Sequence, residues 1–294
     1  MPQLIKTYTP SEASNYVEAM SNFRNPEQGY LGQPFNFAEI IRERFHALKT
    51  RDIEAIKFFL DQYFDTPDAF AYPGKSSEFS GRFKFVPDSD LLLNIGADAE
   101  VTNGALELSD DEAYAGLKGP EFRRVDVDGQ PFALLEEKFN ANKKYKTNEL
   151  YEMGATPINR SGYVNLDNET SLAYIDETVN SDLWLAFLRG DKKLLTDYRN
   201  AVSEELNRRK YDNPNQSMGV YLGSEQEKPS MRALFVDDLN YRSNAGGDNL
   251  LSSSARLVGV SSKIAEGDAQ NFRVDDVEAA RLHLRSLDEI LSRL

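Results

Sequence analysis

Cysteine is absent from this chain, and histidine is almost absent, with two residues among 294. The lack of cysteine excludes disulfide bonds, thiolate metal sites and cysteine nucleophiles. The two histidines, His46 and His283, fall in predicted helices near opposite ends of the sequence, so we do not expect them to share a zinc ion. A Ser-His-Asp triad would need one of them, and no G-x-S-x-G motif is present to carry the serine. Hydrolase chemistry of these kinds is therefore not expected.

Long apolar segments are missing as well. No stretch of the sequence approaches the roughly 18 consecutive apolar residues of a membrane-spanning helix. Residues 1–16 have neither the basic start nor the apolar run of a signal peptide. We therefore expect synthesis in the cytoplasm without export, and no insertion into a membrane.

Positive charge is scarce relative to negative charge. The chain has 34 Lys and Arg residues against 48 Asp and Glu residues, which makes the formal net charge −14. A surface of this sign repels phosphates and anionic lipid headgroups, so nucleic acids and membranes are not expected partners. The one locally basic stretch contains Lys143, Lys144 and Lys146, and we interpret it as a solvated turn rather than a phosphate site.

The rest of the composition is that of a folded protein. Hydrophobic residues make up 40% of the chain, including 17 Phe and 14 Tyr, which is enough for a sizeable core. We divide the chain into an N-terminal helical segment over 1–75, a β-rich region with a long loop over 76–175, and an α+β region with a C-terminal helix over 176–294. These segments form one domain or two intimately packed domains. The predicted fold class is α+β, with a mostly antiparallel sheet.

The first segment is predicted to be helical because its apolar residues recur at helical spacing. One helix is expected over 12–22 with Ser11 as its cap, and two more, over 37–49 and from residue 52 onward, form a helical hairpin. The third helix is expected to stop at Thr66-Pro67, because proline disfavours helical geometry in the residue before it. All of residues 1–66 are thus assigned to helices and turns.

The middle of the chain has the alternation typical of strands. Phe83 and Phe85 alternate with charged residues, 91–93 is a run of leucines that indicates a buried strand, and Asn103-Gly104 and Asp128-Gly129 are hairpin turns. Residues 140–170 are polar and without a pattern, which predicts a functional loop or an arm. A long central helical stretch, capped by Ser181 and with a step at Gly190, is expected to follow it to about residue 210.

An amphipathic helix is predicted at the end of the chain. Asp275 and Glu278 form an acidic capping box at its start. Apolar residues then recur at alternating intervals of three and four: Val277, Ala280, Leu284, Leu287, Leu291 and Leu294. Such a stripe must be buried, either on the protein's own sheet or against a second copy or another chain. We treat these six residues as the candidate interface.

One set of residues loosely matches a catalytic template. Asp88 follows a proline, Asp126 and Asp128 flank a turn, and an apolar strand leads to Glu136 and Lys138, as in metal-dependent nucleases with a P-D…(D/E)-x-K pattern. In such a site the carboxylates would hold Mg²⁺ and the lysine would orient or deprotonate the attacking water. The match is weak because charged residues often end strands, and because the acidic chain lacks a broad basic surface for nucleic acid.

We therefore favour a non-enzymatic structural or assembly subunit of a multi-protein particle, of the kind that virions and phage tails contain, acting through self-association. Its expected partners are proteins, either further copies of the chain or other subunits, and no cofactor is expected. The magnesium-dependent nuclease is the enzymatic alternative. A third alternative is a small-ligand binding module that uses Trp184 and the tyrosines, although a single tryptophan in a helix usually belongs to the core.

Overall fold

The chain folds into two β-sheets and the helices that cover them. The computed structural model describes residues 8–159, 178–210, 218–239 and 244–261. The strands in these ranges are β1 (Tyr8–Ala13), β2 (Tyr30–Leu31), β3 (Phe64–Tyr72), β4 (Arg82–Val86), β5 (Val101–Thr102), β6 (Ala105–Glu107), β7 (Glu121–Val127), β8 (Gln130–Leu135), β9 (Thr156–Pro157), β10 (Val220–Leu222), β11 (Ser230–Val236), β12 (Ala245–Gly247) and β13 (Ala255–Ser261). The helices are α1 (Tyr16–Arg24), α2 (Phe37–Thr50), α3 (Ile53–Phe59), α4 (Asp90–Leu93), α5 (Asp111–Gly116), α6 (Thr147–Glu152), α7 (Asp182–Phe187) and α8 (Lys192–Arg208), with single 3-10 turns at Pro26–Gln28 and Glu136–Lys138.

The larger sheet has ten strands within the described ranges. Its order is β10-β12-β11-β3-β4-β7-β8-β9, and the β5–β6 hairpin joins it because β6 pairs with β11. Every pairing is antiparallel except that of β10 with β12. Asn103 and Asp128 both have positive φ and are each followed by a glycine of positive φ, as the tight turns of the β5–β6 and β7–β8 hairpins require.

A smaller sheet brings the first and last described strands together. Its order is β1-β13-β2, and β1 pairs with β13 along its whole length, from Tyr8 opposite Val260 to Ala13 opposite Ala255. Because these strands are far apart in sequence, their pairing closes the described part of the fold into one unit.

The main core lies on the face of the large sheet that α2, α3, α7 and α8 cover. Four of its aromatic rings, those of Phe37, Phe70, Phe85 and Trp184, lie within 5.7 Å, centroid to centroid, of the ring of Phe187. All five side chains are at most 1% exposed. Burial of side chains of this size contributes about 1.5–3 kcal/mol each, so this cluster anchors the helical layer on the sheet.

The opposite face of the sheet carries a second core. Small side chains of β3 and β11, including Ala69, Ala71 and Ala233, pack there against α1, α4 and α5. A third, smaller cluster lies at the β7–β8 end of the sheet, where Phe132 and Leu134 contact Leu150 of α6. Both faces of the sheet are therefore covered, and the predicted mixed α+β fold with a mostly antiparallel sheet is confirmed.

The prediction that the first segment is helical and turn-like up to residue 66 is wrong at both ends. Ser11 lies in β1 rather than capping a helix, and its hydroxyl donates to the carbonyl of Ala19. Helix α1 begins instead after Asn15, whose side chain accepts from the N–H of Glu18. Pairing with β13, which local sequence cannot show, holds this stretch in a strand.

The strand β3 was missed in the sequence because it contains Pro67, which cannot donate to a neighbouring strand. The register with β11 shifts here: Ala69 lies opposite Ala233 and Asp65 opposite Phe235, so the proline lies in a bulge. The hydroxyl of Thr66 donates to the carbonyl of Leu234 at 2.7 Å, which satisfies part of the interrupted ladder.

Two further predictions about the middle of the chain are wrong. The leucine run forms the short helix α4 rather than a buried strand, because Ser89 caps it and Leu91 is 43% exposed. Residues 140–159, expected to be without regular structure, contain α6 and β9, and the rest of that predicted loop lies outside the described residues. The predicted C-terminal helix over 275–294 also lies outside them. None of the described helices is long and apolar enough to span a lipid bilayer.

Candidate functional site

The structure places three of the five candidate nuclease residues in separate polar networks. Glu136 accepts two hydrogen bonds from the guanidinium of Arg123, at 2.9 and 2.8 Å, and lies 3.4 Å from that of Arg82. Lys138 donates to the carboxylate of Asp182 at 2.6 Å and to the carbonyl of Met153 at 2.8 Å. Both residues therefore hold neighbouring elements together.

Asp88 belongs to a different network, on the other side of β4. Its carboxylate lies 3.2 Å from the guanidinium of Arg189 and accepts from the side chain of Asn36 at 3.0 Å. The buried carboxylate of Asp68 accepts from the N–H groups of Phe37 and Asp88 and from Arg189. Burial raises the pKa of Asp68, and the positive charge of Arg189 opposes that rise. This network joins α2, β3 and the end of α7.

The two remaining candidates lie at the β7–β8 hairpin, where Asp128 forms the turn with a φ of 51° and Asp126 is exposed. In the ranges that the structure describes, no three Asp, Glu or His side chains are grouped so that they could hold a metal ion. The structure therefore does not bring the five residues together around one ion.

Two other groups of candidate residues were named from the sequence. The side chain of Trp184 is fully buried in the main core, as is usual for a single tryptophan in a helix, and the small-ligand alternative stays a prediction. The six candidate interface residues of the C-terminal stripe, Val277 to Leu294, lie outside the described residues, and their role stays a prediction.

Sequence reasoning missed a groove of about 520 Å³ beside β4 and β7. The residues that line it include Tyr72, Lys75, Arg82, Arg124, Ser224 and Glu225. They come from the end of β3, the connection from β3 to β4, the two strands β4 and β7, and the segment that follows β10. We call it the β4–β7 groove.

The floor of the β4–β7 groove is apolar and closely packed. It consists of Tyr72, Phe83 and Leu222, none of them more than 7% exposed. The hydroxyl of Tyr72 accepts from the N–H of Gly223 at 3.0 Å and donates to the carbonyl of Gly247 at 3.3 Å. Burial raises the pKa of the Tyr72 phenol, so this group stays protonated and keeps both hydrogen bonds.

One wall of the groove is the segment 222–227, which several hydrogen bonds hold in place. The carboxylate of Glu225 accepts from the N–H of Gly81 at 2.7 Å and from the hydroxyl of Ser80 at 3.2 Å. The N–H of Lys75 donates to the carbonyl of Gln226 at 2.9 Å. Because these contacts are made within the chain itself, the wall needs little further ordering when a ligand binds.

The charges that line the groove differ in sign from those of the whole chain. Three lining residues, Lys75, Arg82 and Arg124, are cationic, and Glu225 is the one carboxylate among them. Lys75 is paired with Glu227 at 2.8 Å, but both side chains are mostly exposed, so the pair is weak.

The two arginines that line the groove differ in their contacts. The guanidinium of Arg82 lies 3.5 Å from Glu121, 3.4 Å from Glu136 and over the ring of Phe79, so its charge is already paired. Arg124 is exposed, and its side chain has no hydrogen bond or ion pair with any part of the chain that the structure describes. The β4–β7 groove thus presents the donors of Arg124 to solvent on a protein of net charge −14.

No protein-family model matches this sequence, and no curated protein is significantly similar to it. The fold is similar to a solved structure that concerns the accommodation of massive sequence variation in Nanoarchaeota by the C-type lectin fold. The two chains are 16% identical, with a TM-score of 0.50, and the superposition covers 88% of this chain and 100% of the other. The described chain therefore has a mixed α+β fold similar to the C-type lectin fold.

Proposed function

We propose that this chain is a non-enzymatic binding subunit of a multi-protein assembly, and that it takes a segment of a partner protein in the β4–β7 groove. The observation that carries this proposal is the groove itself: its wall is already held in place, its floor is apolar, and the Arg124 side chain on its rim is uncommitted. A preformed cleft with an apolar floor and a few polar groups is the usual form of a binding site.

The similarity to the C-type lectin fold supports this proposal by analogy. The Nanoarchaeota structure shows that this fold accommodates massive sequence variation. A fold whose core stays packed while its surface residues vary is suited to recognition, because the binding surface can change while the sheet keeps its shape. In this chain the large sheet is covered on both faces, and the groove lies beside β4 and β7 of that sheet.

The positions of the candidate catalytic residues also support a role in binding. Glu136, Lys138 and Asp88 are each paired with a charged neighbour, and each pair connects two elements of the fold. A general base or a metal ligand has to be available to a substrate, and these pairings occupy the groups that the nuclease alternative needs.

The proposed assembly role includes self-association through the apolar stripe of 277–294, as predicted from the sequence. Light scattering on size-exclusion fractions tests this part by itself. We expect the full chain to form oligomers and a chain that ends at residue 275 to be smaller in solution. A full chain that stays monomeric at every concentration contradicts self-association and leaves the groove proposal to its own test.

Selection from a random peptide library displayed on phage tests the groove proposal. We expect the protein to enrich peptides that bind it, and we expect Ser224→Trp to abolish that binding, because a bulky ring at this exposed lining position fills the groove. Ser109→Trp is the matched control, since it adds the same ring at another exposed serine, outside the groove. Peptides that bind Ser224→Trp as well as the wild type would show that the groove is not the binding site.

A further inference from the structure

We propose that the segment bound in the β4–β7 groove is acidic, and that Arg124 binds one of its carboxylates through two parallel hydrogen bonds. This inference rests on the proposed binding function and specifies the partner's chemistry. It starts from Arg124, an exposed arginine that carries a full charge and five N–H donors without a hydrogen-bond or ion-pair partner in the described ranges.

A carboxylate is the group that fits Arg124 best. The guanidinium is planar and presents its donors in a fixed fork, which matches the two oxygens of a carboxylate. Arg124 lies on β7 with Phe122 two residues before it on the same face, and Phe122 is fully buried in the main core. The fork is therefore presented on the face of the sheet that forms the apolar floor of the groove.

The other charges of the groove favour the same ligand. Lys75 adds a second cation, and the carboxylate of Glu225 already accepts hydrogen bonds from Gly81 and Ser80. A charge that lines the groove acts on a bound ligand within the screening length of about 8 Å at physiological salt, whereas the net charge of the whole chain acts mostly beyond it. A short acidic segment is thus attracted locally even by a protein of charge −14.

A nucleic acid fits these observations less well than an acidic peptide. Its backbone places phosphates along its whole length, and a protein of net charge −14 repels those that extend beyond the groove. The groove, at about 520 Å³, holds a few side chains and not an extended polyanion. We therefore commit to a protein segment with one or two carboxylates, and a nucleic acid is an outcome that the test can detect.

Binding of fluorescent hexapeptides, followed by polarisation at peptide concentrations up to the millimolar range, tests the inference. The probes are a glutamate-rich peptide, the same peptide with glutamine at each glutamate, and a short single-stranded oligothymidylate. We expect the glutamate peptide to bind at least about tenfold more tightly than the glutamine peptide, since hydrogen bonds between charged groups are the strong ones. We also expect its affinity to fall when salt is raised.

Substitutions of Arg124 test whether this residue is responsible for the preference for the glutamate peptide. Arg124→Ala is expected to weaken binding of the glutamate peptide about tenfold or more, and Arg124→Lys to restore part of it, because lysine keeps the charge but not the fork. Arg42→Ala is the matched control: Arg42 is an exposed arginine of α2, outside the groove, so the variant has the same net charge with the groove intact.

The possible failures are distinguishable from those of the proposed function. Equal binding of the two peptides, undiminished binding by Arg124→Ala, or binding of the oligothymidylate in place of the glutamate peptide would each overturn the acidic ligand. So would the absence of any binding by the glutamate peptide. If library peptides are still blocked by Ser224→Trp in any of these cases, the groove remains a binding site and its ligand is of another class.

Discussion

The buried carboxylate of Asp65 accepts a hydrogen bond from the backbone N–H of Arg256 at 2.9 Å, which connects the central strand β3 to β13 of the smaller sheet. Its other oxygen accepts from the side chain of Asn249 at 3.2 Å. Burial raises the pKa of Asp65 to about 6, although these hydrogen bonds oppose the rise. The protein thus carries, between its two sheets, a carboxylate whose ionised form is disfavoured by folding.

Asp65 should make the protein more stable in mild acid than at neutral pH. Its pKa is about 6 in the folded chain and 3.8 as an isolated side chain, so between these values the folded state binds the proton and the unfolded state does not. The free energy of unfolding therefore falls as pH rises through 6, by roughly 1 kcal/mol between pH 5 and pH 7 from this group. Urea unfolding at both pH values measures it.

Asp65→Asn removes the titration and is expected to flatten the pH dependence of urea unfolding by about that amount. Asp126→Asn, at an exposed position of β7, is the control and should leave the slope as it is. Identical slopes for Asp65→Asn and the wild type would show that Asp65 is not the group responsible.

Glu205 should contribute more to stability than a solvent-exposed carboxylate on a helix. Its side chain is fully buried and accepts from Arg208 and Arg209, and its carboxylate lies 3.0 Å from Arg51. Burial alone would raise the pKa of Glu205, but the hydrogen bonds and charges of the arginines outweigh it and lower the pKa. We expect Glu205→Ala to lower the free energy of unfolding by about 2–3 kcal/mol at pH 7, because it leaves three cations without their common partner.

Glu204→Ala is the matched control for this experiment, since Glu204 is 73% exposed and lies 4.0 Å from Arg51. Its expected cost is below about 1 kcal/mol. Chemical unfolding of both variants gives the comparison, and equal effects would refute the importance assigned to the buried network.

Two substitutions of Glu225 test the shape of the β4–β7 groove and its charge separately. Glu225→Ala removes the hydrogen bonds to Gly81 and Ser80, so we expect the wall to loosen and the glutamate peptide to bind several-fold more weakly. Glu225→Gln keeps an acceptor for Gly81 and removes the negative charge, and the same peptide should bind more tightly. Fluorescence polarisation measures both, and hydrogen exchange at the amide of Gly81 reports the loosening. If the two variants change affinity in the same direction, the wall does not act as proposed.

Glu136 distinguishes a structural ion pair from the nuclease alternative. Removing its carboxylate leaves Arg123 without the two hydrogen bonds that it donates to Glu136. We therefore expect Glu136→Ala to lower the free energy of unfolding by about 1–2 kcal/mol. With Mg²⁺ and plasmid DNA, we expect no cleavage by either protein. Cleavage by the wild type that is lost in a folded Glu136→Ala variant would establish the nuclease instead.

Local sequence predicted the elements whose stability is local. The apolar positions of α2 follow the helical period, and the glycines after Asn103 and Asp128 mark tight turns, because both signals depend on neighbours within one or two turns of chain. The same reasoning failed for β1 and β3. One is held by β13 from the far end of the described chain, and the other tolerates Pro67 only because a bulge against β11 accommodates it.

By itself the sequence determined the acidic net charge, the absence of cysteine chemistry, the mixed α+β class and the alternation that aims Phe83 and Phe85 at the core. The tertiary structure alone decided which charged residues meet. In it Glu136 and Lys138 form structural ion pairs. It also brings Tyr72, Arg124 and Glu225 to one groove from three distant parts of the chain. The physical reason is that an ion pair or a groove depends on distances between strands, and those distances are set by sheet order, which no local pattern encodes.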